Sequence, residues 1–316
     1  MKAFALTSAD QPATLVDLPD PGVPAGVVRI RVRAASVNGF DVFQANGYLL
    51  AMMEHQFPTI IGRDFAGIVD AVGEGRTDFA VGDAVFGFVS STPPLHDGTY
   101  AELLSGGPEL ALARKPAGLS FEVVAALPLV GATAPAAVDA VAAGPGTNAL
   151  IVGATGGVGS LALQLAAQRG ASVIATARPG EDDDFVRALG AFDTVDYTAN
   201  EVVEVIRARF PAGIDALIDL VSRGDAFTRM AGLVRDGGRI ATTMSAADVE
   251  GLAARGIRAT NVMGSPTPEN LASLAAHVVA GTLRVEVQQT FLLADAQAAF
   301  AAFLAGTRGK LVLTVS

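Results

Sequence analysis

The chain has no cysteine, no tryptophan, three tyrosines and three histidines among its 316 residues. Without cysteine there are no disulfides, thiolate nucleophiles, iron–sulfur clusters or Cys-ligated zinc. A histidine-only metal site would need His55, His96 and His277 together, and their spacing fits no close-ligand motif. The expectation is therefore no functional metal. Charge is also scarce. Only 17% of residues are charged, and Asp plus Glu (32) outnumber Lys plus Arg (22), giving a formal net charge of −10. That balance excludes the basic surface a phosphate backbone needs, so no nucleic-acid partner is expected. No uninterrupted apolar stretch approaches the ~20 residues of a membrane-spanning helix. The opening MKAFALTSAD has one lysine and no long apolar core, so no secretory leader is expected and the cytoplasm is the expected compartment.

What is present is apolar surface. A hydrophobic fraction of 51% excludes a disordered chain. At roughly 150 residues per domain the length suggests about two domains. The first ~120 residues read as β-rich. VVRIRVRAASV (27–37) alternates apolar residues with arginine, as a half-buried strand does. GIVDAVGEG (67–75) and GDAVFGFV (82–89) read as short strands ended by glycines, and Asp20-Pro21-Gly22 and Asp97-Gly98 as turns. From residue 120 the texture changes. SFEVVAALPLVGATAPAAVDAVAA (120–143) has helical spacing, with Ser120 as N-cap and breaks or bends expected at Pro128 and Pro135.

Strands and helices then alternate. NALIVGA (148–154), SVIATA (172–177), IDALIDLV (214–221), GGRIATTM (237–244) and IRATNVMG (257–264) read as buried strands, and SLALQLAAQRG (160–170) and DDFVRALGA (183–191) as helices ended by glycine. This pattern predicts a parallel sheet covered on both faces. Strand character returns in VEVQQTFLL (285–293) and KLVLTV (310–315). The expected class is α/β: a β-rich domain over 1–122, an inserted doubly wound domain over 123–282, and a return to the first over 283–316.

The strand NALIVGA runs into Thr155-Gly156-Gly157-Val158-Gly159 and at once into a helix. Ala154, Gly156 and Gly159 occupy the three small positions of the dinucleotide fingerprint. Such a loop must turn tightly, bring backbone amides to a pyrophosphate and pack helix against strand. The helix N-terminus offers free amides and partial positive charge to the anion. At the end of the second strand, where an acid usually takes the ribose hydroxyls of NAD, stands Arg178, 19 residues after Gly159. A guanidinium there suits a 2′-phosphate, so NADPH is the expected cofactor. Tyr197 is placed to flank the adenine, and Val221, closing the run IDALIDLV, is a further candidate contact. The acids Glu181 to Asp184 either occupy a helix first turn or, for Glu181, accept from a ribose hydroxyl.

Other motifs are missing. No tyrosine has a lysine four residues on, which argues against a short-chain dehydrogenase, and no serine sits in a Gly-x-Ser-x-Gly elbow. Gly309-Lys310-Leu311 lacks the hydroxyl and the glycine spacing of a P-loop.

The ordered set ASVNGFD (35–41), PTIIGRDFAGIV (58–69), VGDAVFGF (81–88), DGTYAEL (97–103), ALIVGATGGVG (149–159) and RGKLVL (308–313) resembles the zinc-free, zeta-crystallin-like quinone oxidoreductases of the medium-chain dehydrogenase/reductase superfamily. The resemblance covers essentially the whole chain. It implies a GroES-like catalytic domain, split in sequence around a Rossmann domain, and a homodimer paired through the Rossmann edge strand at 257–264. The zinc-containing branch carries Gly-His-Glu where this chain has Gly62-Arg63-Asp64. Without zinc, alcohol oxidation loses its electrophile. Hydride addition to a quinone or an α,β-unsaturated carbonyl instead gives a delocalised anion that needs only hydrogen bonding.

The resemblance places Asn38 and Asp41 at the catalytic site. Asn38 would donate to the acceptor oxygen or hold the nicotinamide ribose. Asp41 would orient its neighbours, or only cap a helix starting near Val42. Tyr48 lies where related enoyl-thioester reductases carry a proton-donating tyrosine, so it is either that donor or an entrance residue. Thr133 matches a nicotinamide contact, and Lys310, with Arg308, matches a C-terminal basic pair; Lys310 is read as a cofactor contact, the alternative being exposed charge. The leading expectation is an NADPH-dependent reductase of quinones or conjugated carbonyls. The alternatives are an enoyl-thioester reductase of fatty-acid or polyketide type and a non-catalytic NADPH-binding protein.

Overall fold

A computed structural model describes residues 1–315. The chain divides into two compact units, one of Met1–Leu129 with Pro266–Ser316 and one of Val130–Ser265. The sequence reading set these junctions at 122/123 and 282/283. The second differs because the helix Pro268–Val279 lies against the strand Ala111–Arg114 of the first unit.

In chain order the first unit supplies β1 (Lys2–Leu6), β2 (Thr14–Asp17), β3 (Val28–Ser36), α1 (Gly39–Ala45), β4 (Thr59–Ile60), β5 (Asp64–Val72), β6 (Ala84–Phe88), β7 (Leu103–Gly106) and β8 (Ala111–Arg114). Next come α2 (Phe121–Ala125) and α3 (Pro128–Ala140). Ser120 caps α2 as expected, accepting from the Val123 amide at 3.3 Å. The segment breaks at Pro128, as expected: α2 ends at Ala125 and Pro128 begins α3, where a first-turn proline has no amide to lose. Pro135 lies inside α3.

The second unit continues with β9 (Asn148–Val152), α4 (Gly157–Gln168), β10 (Ser172–Thr176), α5 (Glu181–Ala188), β11 (Asp193–Val195), α6 (Val202–Arg209), β12 (Ile214–Asp219), α7 (Gly224–Ala231), β13 (Val234–Thr242), α8 (Val249–Ala253) and β14 (Arg258–Asn261). The return to the first unit adds α9 (Pro268–Val279), β15 (Val287–Leu292), α10 (Ala296–Leu304) and β16 (Lys310–Thr314).

The first unit is built on a seven-stranded mixed sheet, ordered β15-β16-β3-β5-β6-β8, with β7 also paired to β3. The alternation read in residues 27–37 is real: along β3, Val28, Ile30, Val32 and Ala34 are buried while the arginines between them are not. Val28, Ile30 and Val32 join Phe65, Val85, Leu112, Phe300 and Leu313 in one core. A three-stranded sheet, β2-β1-β4, lies apart from the larger one.

The second unit has six parallel strands in the order β11-β10-β9-β12-β13-β14. Counted from β9, that is the 3-2-1-4-5-6 order of a doubly wound dinucleotide-binding sheet, whose order reverses between β9 and β12. Leu150, Ile174, Leu217 and Ile240, one from each of four neighbouring strands, centre its core. The edge strand β14 is short and mostly exposed, and Arg-Ala-Thr-Asn is a polar edge rather than the apolar one read from 257–264. Among the described residues no helix is long and apolar enough to cross a membrane.

Candidate active site and cofactor loop

In the second unit the glycine loop sits at the carboxyl end of β9, beside the end of β12, where doubly wound sheets bind their ligands. The tight turn falls on Gly153, at φ +84°, a glycine that the sequence reading did not single out. Its amide donates to Thr176 Oγ1 at 3.0 Å, fixing the turn to β10. Ala154 is fully buried.

Gly156 is the N-cap of α4, which starts three residues earlier than the segment 160–170 suggested. The first intrahelical bond runs from Ser160 N to Gly156 O at 2.8 Å. The amides of Gly157, Val158 and Gly159 therefore precede it, as orphan donors at the positive end of the helix. The two loop glycines differ in kind. A Cβ on Gly159 would meet Gly153 O at 2.1 Å, so this position is dictated by the protein's own packing. A Cβ on Gly156 would meet nothing closer than Gly153 O at 3.6 Å, so its bareness serves an approach from outside. Thr155 is partly exposed beside them. The cradle fits a dinucleotide pyrophosphate.

Val221 follows β12, its amide held by Asp219 Oδ1 at 3.1 Å and its methyl over Gly153. It is 58% exposed, as a residue waiting to cover a ligand can be. Thr133 is buried in α3. Arg178 follows β10 and donates from Nε to Asp182 Oδ2 at 2.6 Å. The Asp182 hydrogen bond, with the charges of Asp182 and Tyr197, holds the guanidinium above its ordinary pKa. Tyr197 is half-exposed nearby. Glu181 to Asp184 form the first turn of α5, where the helix dipole favours carboxylates.

In the first unit, three strand ends converge on Asn38. Antiparallel pairing of β3 with β16 sets Val312 across from Ser36, and two residues further the same register sets Lys310 across from Asn38. Pairing of β3 with β5 sets Ala34 across from Ala66, and by the same step Ser36 across from Asp64. Asn38 Oδ1 accepts from Lys310 Nζ at 2.5 Å, and Asn38 Nδ2 donates to Asp64 Oδ2 at 2.9 Å. Lys310 also donates to Val37 O at 2.8 Å and lies 3.9 Å from Asp64 Oδ2. Asp64 further accepts from Ser36 Oγ at 2.8 Å and from the Leu129 amide at 3.0 Å.

Asn38, Asp64 and Lys310 are all buried. Lys310 is therefore not the exposed charge that its type suggested, and its ammonium is engaged inside the first unit. Burial pushes Asp64 up and Lys310 down, and each charge opposes the other's shift.

Asn38 is the N-cap of α1, which starts at Gly39, not near Val42 as read from sequence. Asp41 is the third residue of that helix. Its Oδ2 accepts from the Asn38 amide at 2.9 Å and from Tyr100 Oη at 3.3 Å, while Oδ1 has no partner among the described residues. Burial, reinforced by Asp64, pushes the Asp41 carboxyl up to about 7. Tyr48, just beyond α1, is 69% exposed and meets Phe43 edge-on at 6.1 Å; its amide donates to Phe43 O at 3.0 Å, while its hydroxyl has no hydrogen-bond partner among the described residues.

Sequence reasoning missed Asp64, Ser36 and Tyr100 as members of this network. Asp64 stood next to the noted Arg63, so the Gly-Arg-Asp triplet was the available signal.

A profile described as an alcohol dehydrogenase GroES-like domain matches residues 24–126, and one described as a zinc-binding dehydrogenase matches residues 157–264. The solved quinone oxidoreductase of Coxiella burnetii is 32% identical, with a TM-score of 0.88 over 100% of this chain and 99% of that one. The chain belongs to the quinone oxidoreductases of the medium-chain dehydrogenase/reductase superfamily. Among curated relatives of this superfamily member, the chloroplastic NADPH-dependent alkenal/one oxidoreductase of Arabidopsis thaliana is 32% identical over 224 residues, 70% of this chain and 55% of that protein. The polyketide synthase GfsB of Streptomyces halstedii is 38% identical over 216 residues, 68% of this chain. The match spans about half the length of the alkenal/one oxidoreductase and 4% of the synthase.

The zinc named in one profile does not fit the residues of this oxidoreductase. Where the zinc branch has histidine, Arg63 is buried and spends its guanidinium on Ser90 O and Asp97 O, each at 3.0 Å, and on Gln44 Oε1 at 3.0 Å. Its charge also lies 5.5 Å over the Phe40 ring. Two buried cations, Arg63 and Lys310, flank the carboxylates of Asp41 and Asp64 and already compensate their charge. Among the described residues no group of three or more His, Cys, Asp or Glu could hold a metal ion.

Proposed function

We propose that this chain is an NADPH-dependent reductase of quinones or α,β-unsaturated carbonyls that works without a metal. The observation that carries the reading is the Asn38 amide. It is an oriented neutral donor bonded to Asp64, the residue next to Arg63 of the Gly-Arg-Asp triplet, and Asp64 takes only one of its two N–H bonds. Bound NADPH supplies the hydride. Gly156, with the amides of Gly157, Val158 and Gly159, receives the pyrophosphate. Arg178 takes the 2′-phosphate through its terminal nitrogens, Tyr197 flanks the adenine, and Thr133 and Val221 line the cofactor. Asn38 donates to the acceptor oxygen as negative charge builds there, and such a fixed donor costs no reorganisation during the reaction. Asp41 holds the start of α1, and with it the Asn38 backbone. A quinone takes its protons from water, so no acid is required at carbon.

The test is a panel of quinones, enones and enoyl thioesters, with NADPH consumption as readout before and after exhaustive chelation. Turnover with conjugated acceptors that survives the chelator is expected. Stoichiometric zinc together with inactivation by chelator overturns the metal-free reading. NADPH binding without oxidation by any acceptor would leave a binding protein.

The match to a polyketide synthase favours a second reading, enoyl-thioester reduction, in which Tyr48 protonates the α-carbon. We further read the protein as a cytoplasmic homodimer joined through β14. A monomer by light scattering at micromolar concentration overturns that pairing.

A further inference from the structure

Lys310 entered the sequence reading as a cofactor contact. Its ammonium instead donates to Val37 O and Asn38 Oδ1 and faces Asp64. Burying an ammonium and a carboxylate is costly, and an apolar pair of similar volume would serve packing at least as well. The network is ordered by donor and acceptor type. Lysine only donates, so it selects the carbonyl end of the Asn38 amide. Asp64, already accepting from Ser36 Oγ and the Leu129 amide, selects the nitrogen end. The amide therefore has one orientation. One of its two N–H bonds goes to Asp64, and the other has no protein partner among the described residues. A hydrogen bond received at the oxygen of an amide polarises it and strengthens its N–H as a donor, more so when the incoming donor is charged and the site is dry.

We infer that Lys310 is a positioning residue: its ammonium, opposed by Asp64, orients and polarises the Asn38 amide so that the remaining N–H stabilises negative charge on the acceptor oxygen. The assignment rests on the proposed reductase reading and deepens it. On this assignment Lys310 acts through Asn38 rather than by direct contact with the cofactor.

The experiment compares Lys310→Met, Asn38→Ala and the double variant in the full chain with NADPH and a quinone. Asn38→Ala should lower kcat by roughly 10²-fold, the reach of one oxyanion donor. Lys310→Met should lower kcat by about tenfold or more, with the Michaelis constant for NADPH unchanged. The double variant should be no slower than Asn38→Ala, because residues acting as one unit are not additive. Losses that multiply, or an NADPH constant that rises while kcat holds, overturn the inference; the latter would return Lys310 to direct cofactor contact. If Lys310→Met does not fold, Lys310→Gln, which keeps a neutral donor, should fall between wild type and Asn38→Ala.

A second readout needs no cofactor. In protein labelled with 15N-asparagine, the Asn38 side-chain resonance, identified by its loss in Asn38→Asp, should shift in Lys310→Gln. No shift overturns the coupling. If wild type oxidises NADPH with no acceptor, the reductase reading fails, and the shift still decides whether Lys310 orients the amide.

Discussion

A Cβ on Gly159 would lie 2.1 Å from the carbonyl oxygen of Gly153, so α4 and the turn that precedes it touch backbone to backbone. Gly159→Ala should force them apart and destabilise the second unit by about 1–3 kcal/mol, as overpacking does. Gly156→Ala meets its nearest protein atom at 3.6 Å and should leave the apparent Tm almost unchanged. Its methyl instead enters the space reserved for the pyrophosphate and should weaken NADPH binding by roughly tenfold or more, about 1.4 kcal/mol. Thermal melts and a fluorescence titration of NADPH separate the two effects. Equal loss of stability from both variants would remove the distinction between them.

Arg178→Ala should raise the Michaelis constant for NADPH far more than for NADH. A charged contact to the 2′-phosphate is worth on the order of 1.5–3 kcal/mol, so the ratio of the two constants should move by roughly 10- to 100-fold. Equal loss for both cofactors would show that the guanidinium, held by Asp182, does not read the phosphate.

Asp41 gives a pH dependence of stability. Its carboxyl ionises at an ordinary value of 3.8 and is pushed to about 7 in the fold, first by burial and then by the charge of Asp64. Between those values the folded chain keeps a proton that the unfolded chain releases. The stability this group contributes is therefore fully present below pH 3.8 and is lost as pH rises through about 7. Asp41→Asn cannot ionise, yet still offers an oxygen to the Asn38 amide. The apparent Tm of the variant minus that of wild type should grow by several degrees from pH 5 to pH 8, at about 2–4 °C per kcal/mol for a chain of 150–250 residues and less for this longer one. A difference that stays flat with pH would mean that Asp41 does not titrate in the fold.

Tyr48→Phe separates the two catalytic readings. The phenol is 69% exposed and unbonded, so with quinones turnover should change less than about tenfold. An enoyl-thioester reductase using it as acid should lose about 10²–10⁴-fold. Enoyl thioesters reduced much faster than quinones, with that activity abolished in the variant, would reverse the preference.

The Rossmann unit was legible because parallel strands buried on both faces read as continuous apolar runs, and β9, β10 and β12 fall inside the segments named for them. The glycine loop was legible except for its phase. Gly153 takes the positive φ, and a φ angle leaves no mark beyond the glycine itself. The start of α1 was missed because the helix has only seven residues and its cap is an Asn with Asp three positions on, rather than the Ser/Thr with Glu/Gln of the familiar box. The Asn38–Asp64–Lys310 network was not legible. Its members are brought together by β-sheet register across the whole length of the first unit, and lysine and aspartate are ordinarily surface residues. Asn38 and Lys310 were singled out separately through family pattern, but neither their pairing nor Asp64 was.

Arg63 has a consequence for descent. Its guanidinium ties three segments together, through Ser90 O, Asp97 O and Gln44 Oε1. Changing it to the histidine of the zinc branch would strand these three acceptors while supplying a single metal ligand to a chain that has no cysteine. Starting toward a zinc enzyme by this substitution therefore passes through a less stable intermediate with one of the ligands it would need. The metal-free chemistry is held in place by the packing of the β5 approach as much as by the substrates it serves.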